Sequence, residues 1–168
     1  MSDDVHSSAP FTSKAVDIEN SWIDYNGHLN MAYYLVMFEK AFDDFHYALG
    51  ITEEYVKARK MTTYTGQTKI DYLREVHKGA DLTAICQILN YDEKRLHTWQ
   101  ELRFKDGTVA ATCETVTLHI DATGPKVTPF PPDILHNIET ISESHLKLPR
   151  PEKAGQSIGI RSRADKPS

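Results

Sequence analysis

Asp24-Tyr25-Asn26-Gly27-His28-Leu29-Asn30 leads without a break into Met31-Ala32-Tyr33-Tyr34-Leu35, and this junction is the most informative stretch of the chain. From Met31 the apolar residues Met31, Leu35, Phe38, Phe42, Phe45 and Leu49 recur every three or four positions, while Glu39, Lys40, Asp43 and Asp44 take the other side. That spacing predicts an amphipathic helix. Asn30 suits its N-cap, because the side-chain oxygen accepts from an early helix N–H, and Gly50 suits the left-handed position that closes it. The helix is expected over Met31–Leu49, about five turns. Asp24 then lies just ahead of a helix N-terminus, where unsatisfied backbone N–H groups concentrate partial positive charge. Acyl transfer needs those two parts together: a base or nucleophile, and a place to hold a carbonyl oxygen.

On either side of this junction the pattern is strand-like. Phe11 to Glu19 reads as a first strand, and Thr52, with Glu53 and Glu54 before Lys57, Arg59 and Lys60, caps a short second helix whose charges match its dipole. Beyond Met61, strands are expected at Thr68 to Val76, Leu82 to Tyr91, Leu96 to Phe104 and Thr108 to Ile120, the last two joined by the hairpin signal Asp106-Gly107. Long strands with short turns predict an antiparallel sheet. In the strand from Leu96, Leu102 and Phe104 share its apolar face, whereas His97, Trp99, Glu101 and Arg103 point the other way, toward water or another partner. Pro125, Pro129, Pro131 and Pro132 precede a weakly amphipathic stretch from Asp133 to about Ile141. The expected organisation is a flexible tail over 1–10, one domain over 11–141, and a polar, disordered tail over 142–168.

Composition narrows the function. A hydrophobic fraction of 40 % and a charged fraction of 26 % over 168 residues suit one ordinary domain. A net charge of −5 argues against general nucleic-acid binding, so an anionic substrate has to meet local cations. Cys86 and Cys113 fall in apolar runs and lack a C-x-x-C spacing, the pattern of buried thiols in a reducing compartment. Met1 to Pro10 has no apolar core of a signal peptide and no run is of membrane length, so the expected location is cytoplasmic, with no membrane partner. His46, His77, His97, His119 and His136 show no metal-ligand spacing, and no metal is expected.

The motif Asp24-x-x-Gly27-His28-x-Asn30 with Tyr34, followed by Tyr72-Leu73-Arg74-Glu75-Val76-His77-Lys78-Gly79 and Asp81, resembles the hotdog-fold acyl-CoA thioesterases of the 4-hydroxybenzoyl-CoA thioesterase type. Glu75 stands where the family commonly has proline, and Ala80 separates Gly79 from Asp81. Within the family the chain is most similar to betainyl-CoA thioesterases of carnitine metabolism. The resemblance implies an α+β hotdog fold, an antiparallel sheet wrapped around one long central helix, assembled as a homodimer or homotetramer. It also implies hydrolysis of a small acyl-CoA thioester without a metal or redox cofactor. Asp24 takes the role of nucleophile or general base, and both routes stay open. The amides near Met31 polarise the carbonyl, Gly27 shapes the loop, and His28 and Asn30 orient it. Trp22, Tyr25 and Tyr34 are expected at the substrate, and a cage of Trp22, Tyr25, Tyr33, Tyr34, Tyr64 and Trp99 could hold a quaternary ammonium by cation–π attraction. Arg74 and Lys78, with Lys69 and His77 nearby, are candidates for the phosphates or adenine end of coenzyme A. Two rivals share the pocket: a hotdog hydratase or dehydratase, and an acyl-CoA-binding module without turnover.

Overall fold

The structure, a computed structural model, describes residues 9–14 and 16–160. Most of the expected 1–10 tail and of the last dozen residues lies outside them. Six strands form one antiparallel sheet: β1 (Phe11–Thr12), β2 (Met61–Tyr72), β3 (Leu82–Tyr91), β4 (Arg95–Phe104), β5 (Val109–Asp121) and β6 (Lys126–Val127). The order is β1-β3-β4-β5-β2, and β6 pairs with β5. Three α-helices accompany it: α1 (Met31–Leu49), α2 (Glu53–Arg59) and α3 (Pro132–His145).

α1 has its expected limits and caps. Asn30 Oδ1 accepts from the Ala32 N–H, and Gly50 adopts φ 86° while its N–H reaches the carbonyls of His46 and Tyr47. The buried stripe of the helix differs from the expected one in its first turns. Tyr34, Met37, Phe38, Ala41, Phe42, Phe45 and Leu49 are buried, whereas Met31 is 66 % and Leu35 41 % exposed. The stripe therefore drifts around α1, and its first two expected members face cavities instead of the sheet.

One half of the core joins Met37, Phe38 and Ala41 to Leu82, Ala84, Leu102 and Ala110. The other joins Phe42, Phe45 and Leu49 to Cys86, Ile88, Leu96 and, from α3, Ile134, Ile138 and Ile141. The sheet thus packs against α1, as the fold class requires, with α3 sharing one end of that face. Cys86 and Cys113 are free and buried, matching their reading as buried thiols, and that burial raises both above their ordinary range.

Four boundaries depart from the sequence reading. β2 begins at Met61, earlier than expected, because Thr62-Thr63-Tyr64-Thr65 favours extended backbone but lacks apolar alternation, and a bulge at Thr65/Gln67 breaks its register. It ends at Tyr72, so Leu73 to His77 is a connection. The first strand is only Phe11–Thr12, although Ser13 and Val16 still donate to Ala84 and Leu82 carbonyls. α3 continues past Ile141, with Ser142 1 % and His145 0 % exposed; His145 Nδ1 accepts from the Ile88 N–H beside the Ile88/Asn90 bulge.

After α3 the chain crosses the outer face of the sheet, the side that carries His97, Trp99 and Glu101. Lys69 Nζ donates to the Lys153 and Gln156 carbonyls and sits 3.1 Å from Glu114, which also accepts from the Gly155 N–H at 2.7 Å and from His97. Where a polar, disordered tail is expected from residue 142, α3 runs on to His145 and residues 149–156 lie as a strap against the sheet.

Candidate functional site

The junction folds as a tight turn. Asp24 Oδ1 accepts from Asn26 N–H at 2.8 Å and His28 N–H at 3.3 Å, the Gly27 N–H returns to the Asp24 carbonyl, and Ile23 bridges Leu29. Gly27 holds φ 81°, a conformation that L side chains rarely adopt, while a Cβ there would meet nothing within 4 Å. Its need is therefore backbone freedom and not close approach.

What α1 offers at its start follows from counting amides. Asn30 N–H donates to the Trp22 carbonyl, Ala32 N–H to Asn30 Oδ1 and Tyr33 N–H to the Asn30 carbonyl. Across residues 30–33 the Met31 amide alone has no partner among the described residues. Met31 lines a cavity of about 650 Å³ together with Asp24, His28, Tyr34, Tyr72, Arg74 and Glu75. Half-buried Asp24 and the first residue of a 19-residue helix thus line one open space.

Of the expected residues, Asp24, His28, Asn30, Met31, Tyr25, Tyr34 and Arg74 line this cavity, and Trp22, Gly27 and Lys78 do not. Trp22 is 5 % exposed, stacked on Tyr33 at 5.4 Å with Lys40 Nζ 4.8 Å from its ring, so its faces are taken. Trp99 is buried and donates to Glu101, and Tyr25 is 98 % exposed. The expected aromatic cage does not assemble within this protomer. Lys69 is pinned under the strap and Lys78 is exposed away from the cavity, which leaves Arg74, whose guanidinium donates to the Leu73 carbonyl. Tyr34 Oη donates to the Arg74 carbonyl, and burial pushes that phenol above its ordinary pKa.

Sequence reasoning gave Glu75 and Tyr72 no role, although it quoted both. Glu75 Oε2 lies 3.4 Å from His28 Nε2 and 3.8 Å from His77 Nε2, and an antiparallel bridge joins His28 to His77. Local spacing does not register a pair formed across such a bridge. Tyr72 Oη donates to the Met31 carbonyl and its ring meets Tyr34 edge-on at 5.1 Å.

A second cavity, about 460 Å³, lies further along α1, between that helix and β2, β4 and β5. Its lining includes Gln100 and Thr117, each 2 % exposed, whose Oε1 and Oγ1 have no hydrogen-bond partner among the described residues. Polar residues at helix-facing positions of central strands were the available signal for it. Glu39 and Asp43 border the same space, and burial, with Asp44 beside it, raises the Asp43 carboxyl.

His46 also lines this cavity, 4.3 Å from the Phe42 ring, and burial lowers its pKa to about 4 from 6.5. Between those values the unfolded chain takes up a proton that the folded chain refuses, so stability falls as pH drops from 6.5 toward 4. The loss is at most about 3 kcal/mol, an upper limit because the residue keeps some exposure. Urea unfolding at pH 7.5 and 4.5 should show a smaller difference for His46→Asn than for the parent; equal differences would contradict this assignment.

Residues 18–138 match the thioesterase-like superfamily. The chain belongs to that family. A betainyl-CoA thioesterase of Pseudomonas aeruginosa is 35 % identical over 140 residues, covering 83 % of this chain and 88 % of the relative. A fused L-carnitine dehydrogenase/betainyl-CoA thioesterase of Rhizobium meliloti is 34 % identical over 153 residues, of which this chain spans 31 % of the length. Among solved structures, a hypothetical protein from Staphylococcus aureus in complex with CoA superposes with TM-score 0.84 at 27 % identity, over 92 % of this chain and 99 % of that one. The expected hotdog class and the expected enzyme class, a thioesterase, are both met. Among the described residues of the thioesterase no helix is long and apolar enough to cross a membrane.

Proposed function

We propose that the chain hydrolyses a small acyl-CoA thioester to the free acid and coenzyme A. Asp24 acts as nucleophile or as the base that activates water, and the Met31 amide holds the carbonyl oxygen as it gains charge. One observation carries this reading: Asp24 and Met31, whose N–H has no partner among the described residues, line the same cavity. A donor of that kind is worth on the order of 100-fold or more in turnover. In the general-base route Asp24 removes a proton from water as its oxygen attacks the carbonyl carbon. The tetrahedral intermediate then expels the thiolate, which takes up the proton. Water and a carboxylate suffice for these steps, so the reaction needs no metal or redox cofactor.

The acyl group we assign is polar, with betaine as the leading case. Support comes from the names of the relatives and from the second cavity, where Glu39, Asp43, Gln100 and Thr117 suit a polar or cationic group better than an alkyl chain. To Arg74, which lines the Asp24 cavity, we assign the contact with the coenzyme A end. The working unit is a homodimer or homotetramer in the cytoplasm. β2 is a 12-residue strand at the end of the strand order, with Tyr64 48 % exposed, and its outer edge invites pairing with a second copy.

Thiol release measured across betainyl-, acetyl-, benzoyl- and longer acyl-CoAs tests the reading, with sedimentation of the same preparation. We expect the fastest release from betainyl-CoA by an oligomer. Saturable binding without thiol release, or hydration of an enoyl-CoA in its place, would overturn hydrolysis; a preference for alkyl chains would overturn the polar acyl group.

A further inference from the structure

We propose that His28, Glu75 and His77 form a binding site for a divalent transition-metal ion of the zinc type. The bridge between His28 and His77 sets the two imidazoles side by side, with ring centroids 4.8 Å apart and planes at 78°. Glu75 reaches between them: the ligand atoms of all three residues lie within 4.8 Å of one another. Ligands at about 2.1 Å from a tetrahedral ion stand roughly 3.4 Å apart, so movements of about an ångström by exposed side chains close the set.

A second observation is independent of that clustering. His77 Nδ1–H donates to the Gly27 carbonyl at 3.2 Å, which fixes the tautomer and leaves the Nε2 lone pair turned toward Glu75 and His28. Metal-binding histidines are oriented in this way, by a carbonyl or carboxylate behind the ligating ring. Two imidazoles and one carboxylate suit zinc, nickel or cobalt and not magnesium or calcium, which favour oxygen donors. A fourth position stays open at the rim of the Asp24 cavity, because His28 and Glu75 also line it. An ion there ties the connection after β2 to the turn that carries Asp24. The site stands on its own geometry and does not depend on the hydrolytic reading.

Competition between tag-free protein and a chromophoric chelator for Zn²⁺ at pH 7.5 tests it, with the visible absorption of Co²⁺ as a second readout. The parent should take up one ion per chain and give a low-coordinate Co²⁺ spectrum. His77→Ala and Glu75→Gln should each weaken binding by at least about tenfold, while exposed His136→Ala leaves it unchanged. Circular dichroism confirms that each variant is folded. Parent-like affinity in both site variants, loss of affinity in His136→Ala, or displacement of Zn²⁺ by equimolar Mg²⁺ would overturn the site.

Discussion

Asp24→Asn should lower turnover on the best thioester by 10²–10⁴-fold, the range typical of a positioned acid or base, while leaving the fold intact. The amide keeps an oxygen where Asp24 Oδ1 now accepts from the Asn26 and His28 N–H groups, so the turn retains its internal bonds. It loses the negative charge, and with it the capacity to attack a carbonyl or deprotonate water. The variant therefore separates the turn-holding role of this side chain from the catalytic role proposed for it. Thermal unfolding should move by no more than a few degrees and KM should change little, because the cavity keeps its shape. Parent-like kcat in Asp24→Asn would reduce this aspartate to a structural turn residue, and the Met31 amide would need another partner.

Phe45→Ala should cost about 3–5 kcal/mol of stability, the usual range for removing a fully buried aromatic ring. Phe45 is 0 % exposed and lies among three rings, 5.2 Å from Phe11 of the first strand, 6.0 Å from Phe42 of its own helix and 6.2 Å from His145 of α3. Truncation leaves a void where the first strand, α1 and the end of α3 meet, and a closely packed core of this kind relaxes only in part. Urea unfolding at one fixed protein concentration reads the effect, since the proposed association with a second copy would also contribute. A loss below about 1 kcal/mol would mean that these segments collapse onto each other freely and that α3 does not secure the sheet.

The sequence disclosed what local chemistry encodes. Asn30, Gly50 and the periodic run between them delimit α1, because capping and amphipathicity act within one helix. Asp106-Gly107 marks the β4–β5 hairpin for the same reason, with Gly107 at φ 86°. What stayed hidden depends on partners remote in the chain. Met31 and Leu35 carry the periodicity of core residues yet face cavities, since periodicity reports spacing and not where a sheet ends. The first half of β2 has no apolar alternation to reveal it, because the polar cavity under α1 takes the place of core there. Trp22 and Trp99 are near the site in sequence or composition but are spent on packing and on Glu101. The His28–Glu75–His77 cluster exists only once the turn and the connection after β2 pair.

The strap formed by residues 149–156 has a consequence for architecture at the next scale. By anchoring to Lys69, Glu114 and the Gln87 amide, it covers part of the outer face of the sheet with the chain's own backbone. Copies of this protein cannot stack back to back through bare sheet faces unless that cover lifts and the Lys69–Glu114 pair, at 16 % and 10 % exposure, gives up its covering. For the oligomer proposed above, contact through the outer edge of β2 or through the helical side would leave this cover in place, whereas face-to-face stacking of sheets would have to displace it.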